Sequence, residues 1–340
     1  MITKGVFPES LRADLAVSFE DGRQAMVAQE WRQLIEVVPT TSSAKTEIFY
    51  GDKTELRRFR GERQPSVFFE YKSVITLDDW EMTETIKRQV LDDDQSGGVL
   101  RRKIGEFGQA VEVSMQRKTE EHLRRGTSYK SFDTNQFFGR NHVYTDSKGA
   151  THGTLWTNFE TGGSQVDAIT IQLEQLHFAQ LKTDRDHVLG MKLTDIAVKR
   201  GTDNAKTARE IANSQFTVEV DTIKGSNTTN VFQGTFGIME QDYGIGDSEW
   251  YGFDLSNGSM KPIKVLSHSV SPGWENLKFT QLLDDSDTGF WRNEFAFGVF
   301  GRFDWNPGDP RSARLHGITV FPDPDLEDFE RHRELQPNEF

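Results

Sequence analysis

The chain has 340 residues, with 40 Lys and Arg against 53 Asp and Glu, a net charge of −13, and no cysteine. The acidic balance excludes a general clamp for phosphate backbones, and the missing thiols exclude disulfides, thiolate metal sites and cysteine nucleophiles. At this length two domains, or one large core with excursions, are expected, and 25 Phe and 7 Trp require a core or an interface to accept them.

No basic stretch followed by an apolar run opens the chain, so no secretory signal is read there. Nor does any apolar run approach the ~20 residues of a membrane-spanning helix. Leu11, Leu15 and Phe19 predict a first helix, stopped by Asp21-Gly22. Its apolar stripe is thin, and Trp31, Leu34, Ile35, Val37 and Val38 then run into a polar break from Pro39 to Ser43. Such an arm has too little apolar surface to fold alone and must lie on something else.

Next comes a long charged excursion. Arg57, Arg58, Arg60 and Arg63 surround Gly61, and Val67, Phe68, Phe69, Tyr71, Val74 and Ile75 are strand formers. Met82 to Ile86 reads as a returning strand or a short helix, and Asp92, Asp93, Asp94 and Gly97-Gly98 close the segment. An isolated two-stranded ribbon is marginal in water, so this one implies support from another surface, most simply another chain. For any single arginine the plainer reading is a solvated, aggregation-resistant sheet edge.

Leu100, Ile104, Phe107, Val111 and Met115 then recur at three and four, which predicts a helix over 99–125 about 40 Å long. Its charged faces are assigned Glu106, Glu112, Glu120 and Glu121 among others. A second amphipathic helix is predicted over 166–183, with Ile169, Leu173, Leu176 and Gln180 on one side. A buried strand over 193–198 and a helix over 205–214 suggest a compact α/β lobe. Strand idiom continues over 216–220, 231–239 and 250–255. Phe290 to Phe300 reads as a strand crossing between lobes, and seven acids from Asp323 onward form an acidic tail.

Motifs for chemistry are scarce. There is no phosphate loop, zincin helix or nucleophile elbow. Gly244-x-Gly246 is read as a turn, and Asp284, Asp285 and Asp287 fail the spacing of a calcium loop. Asn227-Thr228-Thr229 fits a glycosylation sequon that carries no weight without a signal peptide. His142 and His152 lack a third ligand, and Glu294 with Asp304 is a weak candidate for a carboxylate pair. No catalytic, cofactor-binding or metal residue is assigned, and no enzymatic activity is expected.

The order of arm, charged hairpin, long helix, α/β lobe and closing strand resembles the HK97-type major capsid protein of tailed phages, and within it the Mu-like major head subunit family. Three stretches carry the likeness. Arg60-Gly61-Glu62-Arg63 through Phe69-Glu70-Tyr71 to Asp92-Asp93-Asp94 resembles the family's extended loop. Phe137-Phe138 with His142-Val143-Tyr144 resembles its Phe-Phe and His-Pro-x-Tyr stretch. Phe290, Asn293-Glu294-Phe295, Gly298-Val299 and Arg302 resemble its closing strand. Here no proline follows His142, the segments 148–163 and 225–258 are longer, and the acidic tail has no counterpart.

The resemblance implies an α+β, HK97-like capsid fold: N-terminal arm 1–50, extended loop 51–96, peripheral domain 97–185 with spine helix 98–125, axial domain 186–285, closing strand 286–317 and tail 318–340. It implies self-assembly into pentamers and hexamers, an icosahedral virion shell around packaged double-stranded DNA without sequence-specific contact, and assembly in the host cytoplasm without a membrane. A separate scaffolding protein or a trimmed N-terminus, a portal, and room for a decoration protein also follow. Arg57, Arg58, Arg60, Arg63, Phe68, Phe69, Asp92, Asp93 and Asp94 are the candidate intersubunit residues. The alternatives are a shell of the same fold enclosing protein cargo, and a soluble hydrolase using the carboxylates between Asp284 and Asp304.

Overall fold

The computed structural model describes residues 9–26, 30–50, 70–87, 89, 98–145, 150–161, 165–215, 229–282 and 294–318. Helix α1 (Glu9–Gln24) buries Leu15 and Phe19 against the long helix α2 (Gly98–Arg124). The segment expected to be an arm thus lies on this chain's own long helix, followed by a 3-10 turn that buries Trp31 and Leu34 in the same core. Gly22 does not stop α1. A Cβ there would stand 2.1 Å from the Gly105 carbonyl oxygen, and one on Gly108 would stand 2.3 Å from that of Phe19. Glycine serves here to let two helix backbones touch.

The inward face of α2 is wider than its apolar stripe. Glu112 and Glu120, expected on charged faces, are buried beside Val111, Met115 and Leu123. Both elements that flank the helix cover it, so positions next to the stripe are desolvated too.

Strand β1 (Ile35–Thr40) pairs in parallel with β11 (Ile263–His268). Strands β2 (Ala44–Tyr50) and β3 (Glu70–Thr76) form an antiparallel ribbon in register from Ala44 and Thr76 to Tyr50 and Glu70. The excursion therefore begins at Ala44 and returns in β3. The stretch Met82 to Ile86 belongs instead to β4 (Asp78–Lys87), which pairs with β13 (Glu294–Pro307). Leu77 marks the change, its N–H closing the ribbon on the Ser43 carbonyl at 2.8 Å. Alternation decides the side: Trp80, Met82 and Ile86 turn toward the core of α2, and Glu81, Thr83 and Thr85 face outward.

Strand β13 is the spine of the first sheet. Strand β4 runs along one side of it; on the other, β12 (Lys278–Leu282) covers Ala296–Phe300 and β11 covers Phe303–Pro307. After a turn at Pro310–Ser312 the chain enters the second sheet as β14 (Ala313–Ile318). That sheet runs β7 (Phe159–Thr161), β14, β10 (Trp250–Phe253), β8 (Asp195–Lys199), β9 (Gly237–Gln241). The change of sheet thus falls after Pro307, downstream of the stretch read as the crossing, and residues 231–236 are turn, not strand. A separate hairpin joins β5 (His142–Thr145) and β6 (Thr151–Trp156).

Both faces of the second sheet are buried. Ala197, Tyr251, Phe253 and Leu315 join the core around α2, while Ile196, Val198 and Trp250 join a second core with helices α3 (Ala168–Gln180) and α4 (Asp203–Asn213). Asp167 and Thr202 cap these helices through the N–H groups of Thr170 and Ala205. The side of α3 is reversed from expectation. Ile171, Glu174 and Phe178 are buried, whereas Ile169, Leu173 and Leu176 face outward.

The α1–α2 crossing gives a paired test. Gly108→Ala should gain up to ~1 kcal/mol from helix propensity, but the new methyl meets backbone that cannot yield, at a cost of about 1–3 kcal/mol. Gly105→Ala meets only the Ser18 carbonyl oxygen, at 3.6 Å. Urea denaturation should show net destabilisation at 108 and none at 105.

Candidate assembly site

Arg57, Arg58, Arg60, Arg63, Phe68, Phe69, Asp92, Asp93 and Asp94 lie outside the described residues. What is described is the root from which that segment projects. Tyr71 is buried between Phe132 and Tyr144, ring centroids 5.9 and 5.8 Å away, and its hydroxyl donates to Asp184 Oδ2 at 3.0 Å. Ile75 packs with Val38 and Leu266. Asn306 acts as a substitute strand, accepting from the Thr76 N–H at 3.2 Å and donating to its carbonyl at 3.2 Å. Lys264 reaches Glu47 at 3.1 Å and Glu36 at 3.6 Å. On the opposite side of the ribbon Ile48 and Val74 are exposed.

Beneath the root, Arg311 stacks over Phe132 and Tyr144 at 5.8 and 5.7 Å and donates to the Tyr144 hydroxyl at 3.2 Å, while Asp309 holds its guanidinium. Burial opposes the charge, but Asp309 and Tyr144 outweigh it and raise the Arg311 pKa. Sequence reasoning missed Arg311, Asp309 and Asn306. The Asp-Pro-Arg turn is legible as a turn, but nothing local says that it supports a ribbon more than 200 residues upstream.

A second support is electrostatic. Glu112 has no exposed side-chain surface and receives Arg23 at 2.9 Å and Arg32 at 2.6 Å, so two basic groups of the N-terminal segment meet on one carboxylate of α2. A third lies under α3. Glu174 accepts from Arg314 at 2.9 Å and bonds His316 Nε2 at 2.8 Å, and the His316 ring stacks on Trp250 at 3.8 Å. Burial works against the His316 proton, but Glu174 and Glu160 prevail and raise its pKa. The His316 hydrogen bond, with Arg314 nearby, lowers Glu160 to about 2 despite partial burial. Gly252 leaves room for this cluster, since a Cβ there would stand 2.7 Å from Glu174 Oε1.

The candidates for chemistry do not converge. His142 is buried between Asp133 at 2.6 Å and Asn158 at 3.0 Å and stacks on Trp156, while His152 pairs across the hairpin with Tyr144. Glu294 and Asp304 sit at opposite ends of β13, roughly 30 Å apart at strand rise, so they cannot flank one bond. Gly244 (φ +66°) turns against the α2 backbone, where a Cβ would stand 2.2 Å from the Glu120 carbonyl oxygen. Asp284, Asp285 and Asp287 lie outside the described residues, as do Asn227 and Thr228. Among the described residues no three His, Asp or Glu gather as metal ligands.

Two outcomes are expected. Glu112→Ala strands two arginines near a dry interface and should cost about 3–5 kcal/mol in urea unfolding, with Glu112→Gln less severe. Asp304 is lifted to about 7 by burial and, secondarily, by Asp78, against the Trp305 N–H that it accepts. An acid with a raised folded pKa favours folding below its unfolded value and loses that contribution as pH rises through about 7. Asp304→Asn should therefore raise Tm relative to the parent at mildly alkaline pH and flatten the profile below it. Identical profiles would mean that Asp304 titrates normally.

Residues 9–169, just under half of the chain, match the family of the Mu-like prophage major head subunit gpT. No curated protein sequence matches. Among solved structures, one from Mycobacterium phage Patience is similar at 13% identity and a TM-score of 0.51, covering 95% of this chain and 91% of that one. The bacteriophage JBD30 procapsid covers 96% of this chain and 80% of its own, with 18% identity and a TM-score of 0.49. The satellite phage P4 procapsid with its size-determination protein covers 92% of both chains, with 14% identity and a TM-score of 0.46. Identities this low speak to fold alone. A long helix crossed by α1, a sheet organised on one closing strand and the likeness to the Patience structure give this chain an HK97-like α+β fold, and its residues 9–169 match the Mu-like prophage major head subunit gpT.

Proposed function

We propose that copies of this chain close into an icosahedral shell of pentamers and hexamers around packaged double-stranded DNA. The observation that carries this is the β2–β3 ribbon, clamped at its root by Tyr71, Ile75 and Asn306 while Ile48 and Val74 on its outer side are exposed. A two-stranded ribbon is poorly stable alone, so its outer part takes its support from a neighbouring copy.

In this reading the chain divides as the sequence suggests, into arm, extended loop, peripheral and axial domains, closing strand and acidic tail. The loop reaches over the α2 helix of the next subunit. Arg57, Arg58, Arg60 and Arg63 meet carboxylates there, Asp92, Asp93 and Asp94 among them, and Phe68 and Phe69 fill apolar gaps. Each exposed ion pair contributes roughly 0–1 kcal/mol, so their effect comes from repetition over a closed lattice. The net charge of −13 suits a container in which DNA must slide without adhering. A separate scaffolding protein, a portal and a decoration protein complete the particle, assembled in the host cytoplasm. Among the described residues no helix is long and apolar enough to cross a membrane.

Electron microscopy and sedimentation of the expressed chain should show closed particles. A monodisperse monomer at high concentration, with the ribbon already protected from hydrogen exchange, would refute the proposal. Replacing the four arginines by glutamine should lower particle yield and salt resistance; unchanged values would remove them from the assembly contact. Nucleic acid in particles purified from a phage lysate distinguishes a genome container from a shell for protein cargo.

A further inference from the structure

A cavity of about 390 Å³ opens between the N-terminal 3-10 turn, α2 and the edge strand β9. Sites for small ligands have volumes of roughly 300–1,000 Å³, so the space suits a compact one. Strand alternation turns Met239 and Gln241 toward α2, where Met239 joins the larger core and Gln241 lines the cavity. Gln241 is 2% exposed, yet neither its amide oxygen nor its amide nitrogen has a hydrogen-bond partner among the described residues. A buried donor and acceptor are costly to leave unmet, so this side chain points to a ligand that meets both.

The charges around it select the class of that ligand. Glu30, Glu120, Glu240 and Asp242 line the same cavity, and among the described residues Arg200 is the only base that does. Arg200 is exposed and lies 3.7 Å from Glu240 and 3.4 Å from Asp242, so it serves the rim. Glu120 is buried and accepts only from neutral groups, Gln116 Nε2 and the Tyr243 N–H, each at 2.7 Å. Burial lifts its carboxyl to about 7, with Asp242 adding to the rise. Burial also raises Glu30, helped by Asp195 and Glu240. A bound cation would ease both. It is not a hard metal ion, which needs several oxygens around one point, because no three acids among the described residues gather in that way. Trp31 and Met239 add apolar wall, which suits an organic cation.

The carboxamide of Gln241 narrows the choice further. Its oxygen accepts and its nitrogen donates, so the ligand has a cationic donor beside a neutral acceptor. An α-ammonium next to a peptide carbonyl offers this pairing on neighbouring atoms. A free amino acid would bring a second carboxylate against the acids already present, whereas a peptide amino terminus brings none.

We propose that this cavity binds the amino terminus of a peptide with an apolar first side chain, its α-ammonium shared by Glu120 and Gln241 Oε1 and its first carbonyl accepting from Gln241 Nε2. The site is built within one subunit, so it stands or falls apart from the shell.

Calorimetric titration of the unassembled full chain with leucinamide tests this. N-acetyl-leucinamide, with its amine blocked, and leucine, with its free carboxylate, are the comparisons. Leucinamide should bind, and the other two should bind at least about tenfold more weakly, as the loss of a hydrogen bond to a charged group requires. Gln241→Met keeps the shape of the side chain and removes both polar atoms, and it should weaken leucinamide binding at least about tenfold. Glu120→Gln should weaken it too, and replaces the first variant should that one misfold. Equal binding of the three probes, binding of none, or unchanged leucinamide binding in a folded variant overturns the proposal. Assembled material then identifies the source of the terminus. Loss of leucinamide binding there, with the α-amine of this chain protected from acylation, assigns it to a second copy; retained binding assigns it to another protein.

Discussion

Everything in the larger core is built on the face of α2 that α1 and the first sheet cover together. Its centre is a buried carboxylate: Glu112 is shut off from solvent and is tolerable only because Arg23 and Arg32 both reach it. That need fixes where the N-terminal segment must lie. The close crossing through Gly22 and Gly108 lets it lie there. Hydrophobic burial of Leu15 and Phe19 alone would leave α1 free to slide, because apolar contact is non-directional, whereas two guanidinium groups on one carboxylate set register and angle.

The aromatic residues do their work in the same place. Trp274, Phe303 and Trp305 meet edge to face at 5.1 to 5.5 Å, and the Trp305 indole N–H donates to Thr119 of α2 at 2.9 Å. Edge-to-face packing suits rings of opposite edge and face charge, and the indole bond satisfies the one polar atom such a ring brings inside. The sheet carrying β13 is thereby tied to the helix at several points. The second sheet, buried on both faces, extends that rigidity as far as α3 and the His316 cluster.

Much of the fold was legible before any coordinates. The long helix announced itself because an uninterrupted stripe at three and four with no proline admits one solution, and α2 begins and ends within a residue of the expected bounds. The strand at Ile196 to Val198 and the helix after it were readable from a short apolar run and the helical stretch that follows it. Periodicity does not tell which side of a helix will be covered. In α3 the larger aliphatics at 169, 173 and 176 point out, while Glu174 goes in, because Arg314 and His316 are waiting 140 residues away. Glu112 was assigned to a solvated face for the same reason: its partners, Arg23 and Arg32, are remote in sequence.

The ribbon shows the same boundary between local and remote information. The strand character of residues 70–76 was evident, yet its partner is upstream in β2, and β4 left the ribbon to pair with β13 more than 200 residues later. Sequence by itself determined the long helix and several of the strands, the net acidity, the absence of thiol chemistry and the family likeness, since each depends on residue type and short spacing. Tertiary structure alone decided which strands pair, which carboxylates are buried, that Glu294 and Asp304 stand apart, and which side of α3 faces outward. Those outcomes are set by contacts between segments that only the folded chain brings within a few ångströms.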